Sequence, residues 1–352
     1  MNNKLSNPFN ITFGKTPVEI INRSDIFNMI TSSFDGKDSN QLYLLVGPRG
    51  CGKTVTMTSI SKHFKEEKKW IVIDINPHEN ILEQLAYSLY QKGKMKHLFL
   101  QPEFSISFKG FGLSLTGTKV ASSLPILLEQ MFEYLTKKEM NVLITIDEVN
   151  NNNNMKVFTH TFQSLIRNDS NVFLLMTGLY ENISSLENEK SLTFLFRAPK
   201  IFLPPLSIRA ITYSYMEQLD MDENDALKAA KLTNGYAFAY QLIGYILFKD
   251  NKKKVDNDVI KQFDLLLDEN SYSKIYAELS TKEKEIVLLI ANDIAENQEI
   301  MKKLDIKSNY LATYKNILSK KGIIDVSDRK RISFILPRFK EFITFYEKVY
   351  VE

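Results

Sequence analysis

A single cysteine, Cys51, in a chain of 352 residues excludes an intramolecular disulfide. One cysteine and four scattered histidines likewise give no cluster that spacing would assign to a metal. No apolar run reaches the length of a membrane span, about eighteen residues. The opening MNNKLSNPFN lacks the apolar core of a secretion signal, so neither insertion nor export is expected and the chain reads as cytoplasmic. Neither charge sign dominates: 45 Lys and Arg against 42 Asp and Glu leave +3, and only the distribution of charge along the chain could point to a polyanion. What remains is an ordinary soluble composition, 44% apolar and long enough for two or three domains.

The motifs are sharper than the composition. The stretch LLVGPRGCGKTVTMTSI, residues 44–60, sets three glycines, a lysine and a threonine between the apolar run Leu42 to Val46 and a helical segment, Thr54 to Phe64. A flexible turn would need one glycine and no particular lysine. The spacing G-x-x-x-x-G-K-T, spelled Gly47, Pro48, Arg49, Gly50, Cys51, Gly52, Lys53 and Thr54, makes a phosphate cradle when it joins a buried strand to a helix. Backbone N–H groups converge there, and the helix N-terminus adds partial positive charge. Lys53 is then expected to reach the outer phosphates of a bound nucleotide, and the Thr54 hydroxyl to ligate Mg2+. Cys51 fills a variable loop position, where small size is reason enough.

A phosphate loop needs a second strand that carries a carboxylate. NVLITIDEVN supplies one: Val142 to Ile146 read as a buried strand, followed by Asp147 and Glu148 at the end where open parallel sheets hold ligands. Asp147 is expected to hold magnesium through water, and Glu148 to orient or deprotonate the attacking water. Without the loop, the pair would be two acids at a solvated strand end. WIVIDI (70–75), NVFLLMTG (171–178) and KIFLPPL (200–206) alternate with helical segments, so an α/β fold with a parallel sheet covered on both faces is expected.

Together these residues resemble the AAA+ ATPases, specifically the branch of origin-recognition-type initiators, archaeal-type ATPases and STAND signalling ATPases, over nearly the whole chain. The resemblance implies a P-loop parallel-sheet AAA+ core over 1–206, a helical lid over 207–267 and a C-terminal winged-helix domain over 268–352, with ATP and Mg2+ as cofactors and ATP hydrolysis to ADP as the activity. It gives Thr177, at the end of its strand, the sensor-1 role of bonding the γ-phosphate or the lytic water; a plain strand-end hydroxyl is the alternative. Arg197 in FLFRAPKIFLPPLS matches the arginine finger, whose usual place is a neighbouring subunit's ATP, so a homo-oligomer is implied. A surface ion pair is the alternative, and Arg167 is a second candidate. NPFNITFGKTPVEIINRSDIF corresponds to the leader that wraps the adenine before a helix capped by Ser24, with Asn22 where glycine is usual. The lid departs further: LTNGYAFAYQLIGYILF has neither the family's proline near Ala237 nor the initiators' sensor-2 arginine near Phe238. A slow, switch-like cycle follows. No aromatic-hydrophobic-glycine pore loop is present, so a remodelling motor is not expected.

Two further segments carry expectations. Residues 104–115, FSISFKGFGLSL, alternate strictly, and folding them about Lys109 and Gly110 pairs Phe108 with Phe111, Ile106 with Leu113 and Phe104 with Leu115. Such a hairpin either packs on the core or bridges to a partner. Near the C-terminus, Ser280 with Glu283 is a capping box, two more helices follow, the last stopped by Gly322, and IIDVSDRKRISFIL reads as two strands about a basic turn. This is the order of a winged helix. Between 302 and 340 eleven Lys and Arg face three Asp, a surplus of eight. Lys302, Lys303, Lys307, Arg329, Lys330 and Arg331 are expected to contact phosphates of double-stranded DNA, and Asn309, Tyr310 and Thr313 to reach base edges. The competing reading is a signalling ATPase whose winged helix contacts protein.

Overall fold

The computed structural model describes residues 6–12, 17–36, 40–92, 106–108, 113–115, 124–189 and 192–350. Two compact units result, one of Ser24–Val46 and Lys53–Ile201, the other of Met1–Arg23, Gly47–Gly52 and Phe202–Glu352. Among the described residues no helix is long and apolar enough to cross a membrane.

The first unit is an α/β sandwich. In chain order it contains α1 (Ser24–Asp35), β1 (Leu42–Val46), α2 (Lys53–Glu66), β2 (Trp70–Ile75), α3 (Ile81–Lys92), the short strands β3 (Ile106–Phe108) and β4 (Leu113–Leu115), α4 (Leu124–Lys137), β5 (Asn141–Ile146), α5 (Asn153–Arg167), β6 (Val172–Gly178) and α6 (Tyr180–Glu187). With β7 (Lys200–Phe202) the main sheet runs β2-β5-β6-β1-β7. The β2–β5, β5–β6 and β6–β1 pairs are parallel. The unbroken apolar runs follow from this placement, because a central parallel strand is buried on both faces. All five residues of β1 and all seven of β6 are buried. One face packs Leu44, Ile73, Ile144 and Leu174 beneath α3, α4 and α5. The other carries an aromatic cluster in which Trp70 lies 4.1 Å from Phe64 and 4.9 Å from Phe173, ring centre to ring centre, and Phe34 lies 5.2 Å from Phe173.

Three local expectations need correction. The strand expected over 200–206 stops at Phe202, because Pro204 and Pro205 have no N–H to give a ladder. Helix α1 begins at Ser24 itself, so Ser24 is its first residue and not its cap. The inserted hairpin forms, but β3 and β4 pair Ile106 with Leu115 and Phe108 with Leu113, two residues out of the expected register. That register differs from the pairing about Lys109 and Gly110. A shift of two preserves the alternation of faces, which is why the pattern still read as a hairpin. Phe104, Lys109, Gly110 and Phe111 lie outside the described residues.

The second unit is mostly helical: α7 (Ile208–Leu219), α8 (Glu223–Leu232), α9 (Ala237–Lys249), α10 (Asn257–Leu267), a π-helical turn at Asp268–Tyr272 leading into α11 (Ser273–Ala277), then α12 (Thr281–Ala291), α13 (Asn297–Leu304), α14 (Ser308–Lys320), β8 (Ile324–Asp325), β9 (Ser333–Phe334) and α15 (Phe339–Tyr350). One apolar core runs from Phe9 in the leader to Ile343 in α15. The leader is tied down by polar bonds: Asn10 N donates to Gln241 Oε1 at 2.9 Å, Gln241 Nε2 to the Glu19 carbonyl at 2.9 Å, and Ser214 Oγ to Glu19 Oε1 at 2.9 Å. The Ser280–Glu283 capping box forms in both directions. Gly322 takes a left-handed φ of 74° just past α14, the usual helix stop. The two strands after it are only two residues each, and a third, isolated bridge pairs Arg331 with Glu296 ahead of α13.

Candidate functional site

In the α/β unit the sheet joins four of the expected residues, Thr54, Asp147, Glu148 and Thr177, by hydrogen bonds. Lys53 and Thr54 open α2, Asp147 and Glu148 follow β5, and Thr177 lies near the end of β6. Thr54 Oγ1 donates to Asp147 Oδ2 at 2.7 Å, and the Thr177 hydroxyl donates to Asp147 Oδ1. The Glu148 N–H reaches Asp147 Oδ1 at 3.1 Å and Thr177 Oγ1 at 3.2 Å, with Glu148 in a left-handed conformation at φ 52° and its side chain exposed. A non-glycine residue held there is strained, which marks a backbone fixed by its surroundings. A hydroxyl and a carboxylate side by side are hard oxygen donors of the kind a magnesium ion takes, with water and phosphate completing its shell. Among the described residues no group of three or more His, Cys, Asp or Glu forms a metal cage of its own. Arg197, the last residue of a 3-10 segment Thr193–Arg197, is exposed and forms no hydrogen bond or ion pair among the described residues. It does not join the four. Arg167, at the end of α5, is exposed too.

The tip of the loop, Gly47–Gly52, is held by residues of the second unit. Tyr236 Oη donates to the Arg49 carbonyl at 2.6 Å and shares a 2.9 Å bond with Ser271 Oγ. Phe238 N donates to the Gly50 carbonyl at 3.0 Å, and Arg23 Nη2 to the Cys51 carbonyl at 2.8 Å. Arg49 pairs with Glu278 at 2.8 Å. Burial pushes the Tyr236 phenol well above its ordinary pKa, so it stays a donor at any working pH. The loop's glycines leave room for these approaches: a Cβ at Gly50 would lie 2.5 Å from Tyr236 Oη, and one at Gly52 would lie 3.1 Å from Arg23 Nη1. Gly322 meets the loop as well, since a Cβ there would lie 2.6 Å from Pro48 Cδ. Gly322→Ala is therefore expected to cost about 1–2 kcal/mol from the left-handed backbone alone, and more from the clash with the Pro48 ring. A denaturant midpoint equal to wild type would contradict this. None of Tyr236, Ser271, Glu278 or Gly322 was expected at the loop. Each sits more than 180 residues from it in sequence, beyond any local signal; only the three loop glycines hinted that something comes close.

The basic residues of the C-terminal segment divide into two groups. Lys321 pairs with the buried Glu283 at 2.8 Å, Arg338 grips Asp264 through Nε and Nη2, and Lys340 pairs with Asp293 at 2.6 Å. These acids lie outside the 302–340 window, so the surplus of eight falls to five once the committed cations are removed. Lys302, Lys303, Lys307, Asn309, Tyr310, Thr313, Arg329, Lys330 and Arg331 are all exposed, the middle three on the first turns of α14. The turn carrying the arginines is built, not loose. Asp328 Oδ1 accepts from Lys330 N at 2.8 Å and Arg331 N at 3.3 Å, which holds its carboxyl below the usual range. Asn297 donates from Nδ2 to the Arg329 carbonyl and from its backbone to the Lys330 carbonyl.

A family model described as mitochondrial ribosomal death-associated protein 3 matches residues 22–107, and one described as a domain of unknown function, DUF8462, matches residues 269–343. Neither spans half of the chain. No curated protein matches. Among solved structures, the ORC2 protein of Aeropyrum pernix in its ADPNP-ADP complexes is 13% identical over 97% of each chain, with a TM-score of 0.57. The ADP form of the same protein is 13% identical over 96% of each chain, with a TM-score of 0.50. At that identity the likeness concerns architecture. The chain has an origin-recognition-like AAA+ fold, α/β with a five-stranded sheet.

Proposed function

We propose that this protein is an ATP-binding, slowly hydrolysing AAA+ switch that binds double-stranded DNA through a C-terminal winged helix. The observation that carries the nucleotide half is the Thr54–Asp147 contact at the start of α2, which sets a hydroxyl and a carboxylate side by side after the phosphate-loop sequence. Gly47 to Thr54 would cradle the phosphates, Lys53 would neutralise the outer ones, and Thr54 with Asp147 would hold Mg2+, which screens the phosphate charge when bound. Glu148 would orient the attacking water, and Arg197, exposed and unpaired among the described residues, would act on a neighbouring copy's nucleotide. The related ORC2 structures hold ADPNP and ADP, which agrees with this reading. The absence of an arginine near Phe238 favours slow turnover. In this reading residues 1–206 form the core, 207–267 the lid and 268–352 the winged helix.

For the DNA half, the supporting observation is the exposed basic set on α14 and on the anchored turn between β8 and β9. Neutralising Arg329, Lys330 and Arg331 removes up to three phosphate contacts, each contributing about 0.9 to the slope of log affinity against log salt. The triple alanine variant should bind duplex DNA more weakly whatever its sequence, with a slope shallower by roughly two to three. Its ATP binding should be unchanged. Titrations at several salt concentrations check it. The second reading, a STAND-type signalling ATPase whose winged helix contacts protein, is favoured by the three cations tied up in internal pairs. Negligible wild-type DNA binding at physiological salt would select it.

A further inference from the structure

Thr177 is fully buried, and its hydroxyl is already in use. A hydroxyl has one proton to donate and two lone pairs. The proton goes to Asp147 Oδ1, and one lone pair accepts the Glu148 N–H at 3.2 Å. A phosphate oxygen is an acceptor only, so contact with the γ-phosphate would need the proton that Asp147 holds, from a side chain with no exposed surface. The same two bonds have a different result. With Oδ1 held from the β6 side, Asp147 is left with Oδ2 toward Thr54, 2.7 Å away, on the side where the metal ligands are proposed. With its N–H bonded to both Thr177 and Asp147, Glu148 is kept at its left-handed φ of 52°, which sets the direction its carboxylate leaves the chain.

We propose that Thr177 is a positioning residue, which orients the Asp147 carboxylate toward the metal and fixes the Glu148 backbone, and which does not touch the phosphate. The proposal rests on the nucleotide and magnesium reading given above. Residues that orient a metal ligand typically change metal affinity or activity by about 10–100-fold when removed.

The test is calorimetric titration of the full chain with ATP and with ADP, each with Mg2+ and with EDTA, for wild type, Thr177→Val and Thr177→Ser. Thr177→Val should bind both nucleotides like wild type in EDTA, and should need about 10–100-fold more Mg2+ to gain the metal-dependent part of the affinity, equally for ATP and ADP. Thr177→Ser, which restores the hydroxyl, should return the Mg2+ requirement to wild type. Thr177→Ala gives the same readout without added bulk should the valine variant melt early. A loss confined to ATP, in EDTA as in Mg2+, would show a γ-phosphate contact and overturn the proposal. So would a serine variant that fails to recover. Wild-type protein that binds neither nucleotide would instead bring down the nucleotide reading, and this proposal with it.

Discussion

Lys53→Ala should lose nucleotide binding while the chain stays folded. The loop would keep its amides and the α2 N-terminus, but lose the ammonium proposed to neutralise the outer phosphates. A hydrogen bond to a charged group contributes about 1.5–3 kcal/mol, and every 1.4 kcal/mol or so is tenfold in affinity. A lysine shared by two phosphates therefore places the loss at about 100-fold or more. The variant should still fold, since alanine suits the first turn of α2. Lys53 is the first residue of α2, where a cation opposes the helix dipole, and alanine is the best helix former. Calorimetry with ATP beside a thermal melt separates the two quantities. Wild-type affinity in the variant would remove Lys53 from the site.

Arg197→Ala has the largest effect expected on turnover. An arginine supplied from outside the site is worth roughly 10³ to 10⁵ in rate in other phosphoryl-transfer systems. Arg197 suits that role because it ends a 3-10 segment, is exposed, and forms no ion pair among the described residues, whereas the nearby Lys200 is committed to Glu187 at 2.8 Å. The variant should bind ATP like wild type and hydrolyse it slower by that factor. Wild-type turnover per subunit should fall on dilution through the monomer range. A rate unmoved by either dilution or the substitution would return Arg197 to the role of a surface charge.

Much of the fold could be read from the residues themselves, and the parts that could not share a cause. Buried parallel strands announce themselves as apolar runs, so Leu42 to Val46 and Trp70 to Ile75 have the expected bounds. The Ser280–Glu283 box and the stop at Gly322 are local chemistry and read correctly. The hairpin register was not legible, because alternation fixes which face a residue takes but not which partner it meets. Counting charge within a window of sequence missed that Lys321, Arg338 and Lys340 find their acids outside that window. At the site, the loop motif and Asp147 with Glu148 were visible as spacing. The two bonds of Thr177's hydroxyl depend on the ends of β5 and β6 meeting, which no local pattern encodes.

The close approach of Gly322 to Pro48 couples two positions far apart in sequence. A side chain at 322 would drive into the Pro48 ring, so a substitution there is expected to need a compensating change at 48. The same holds for Gly50, whose missing Cβ leaves room for Tyr236. A chimaera that takes its phosphate loop from one relative and its C-terminal helices from another would therefore bring together surfaces that had no occasion to adapt to each other.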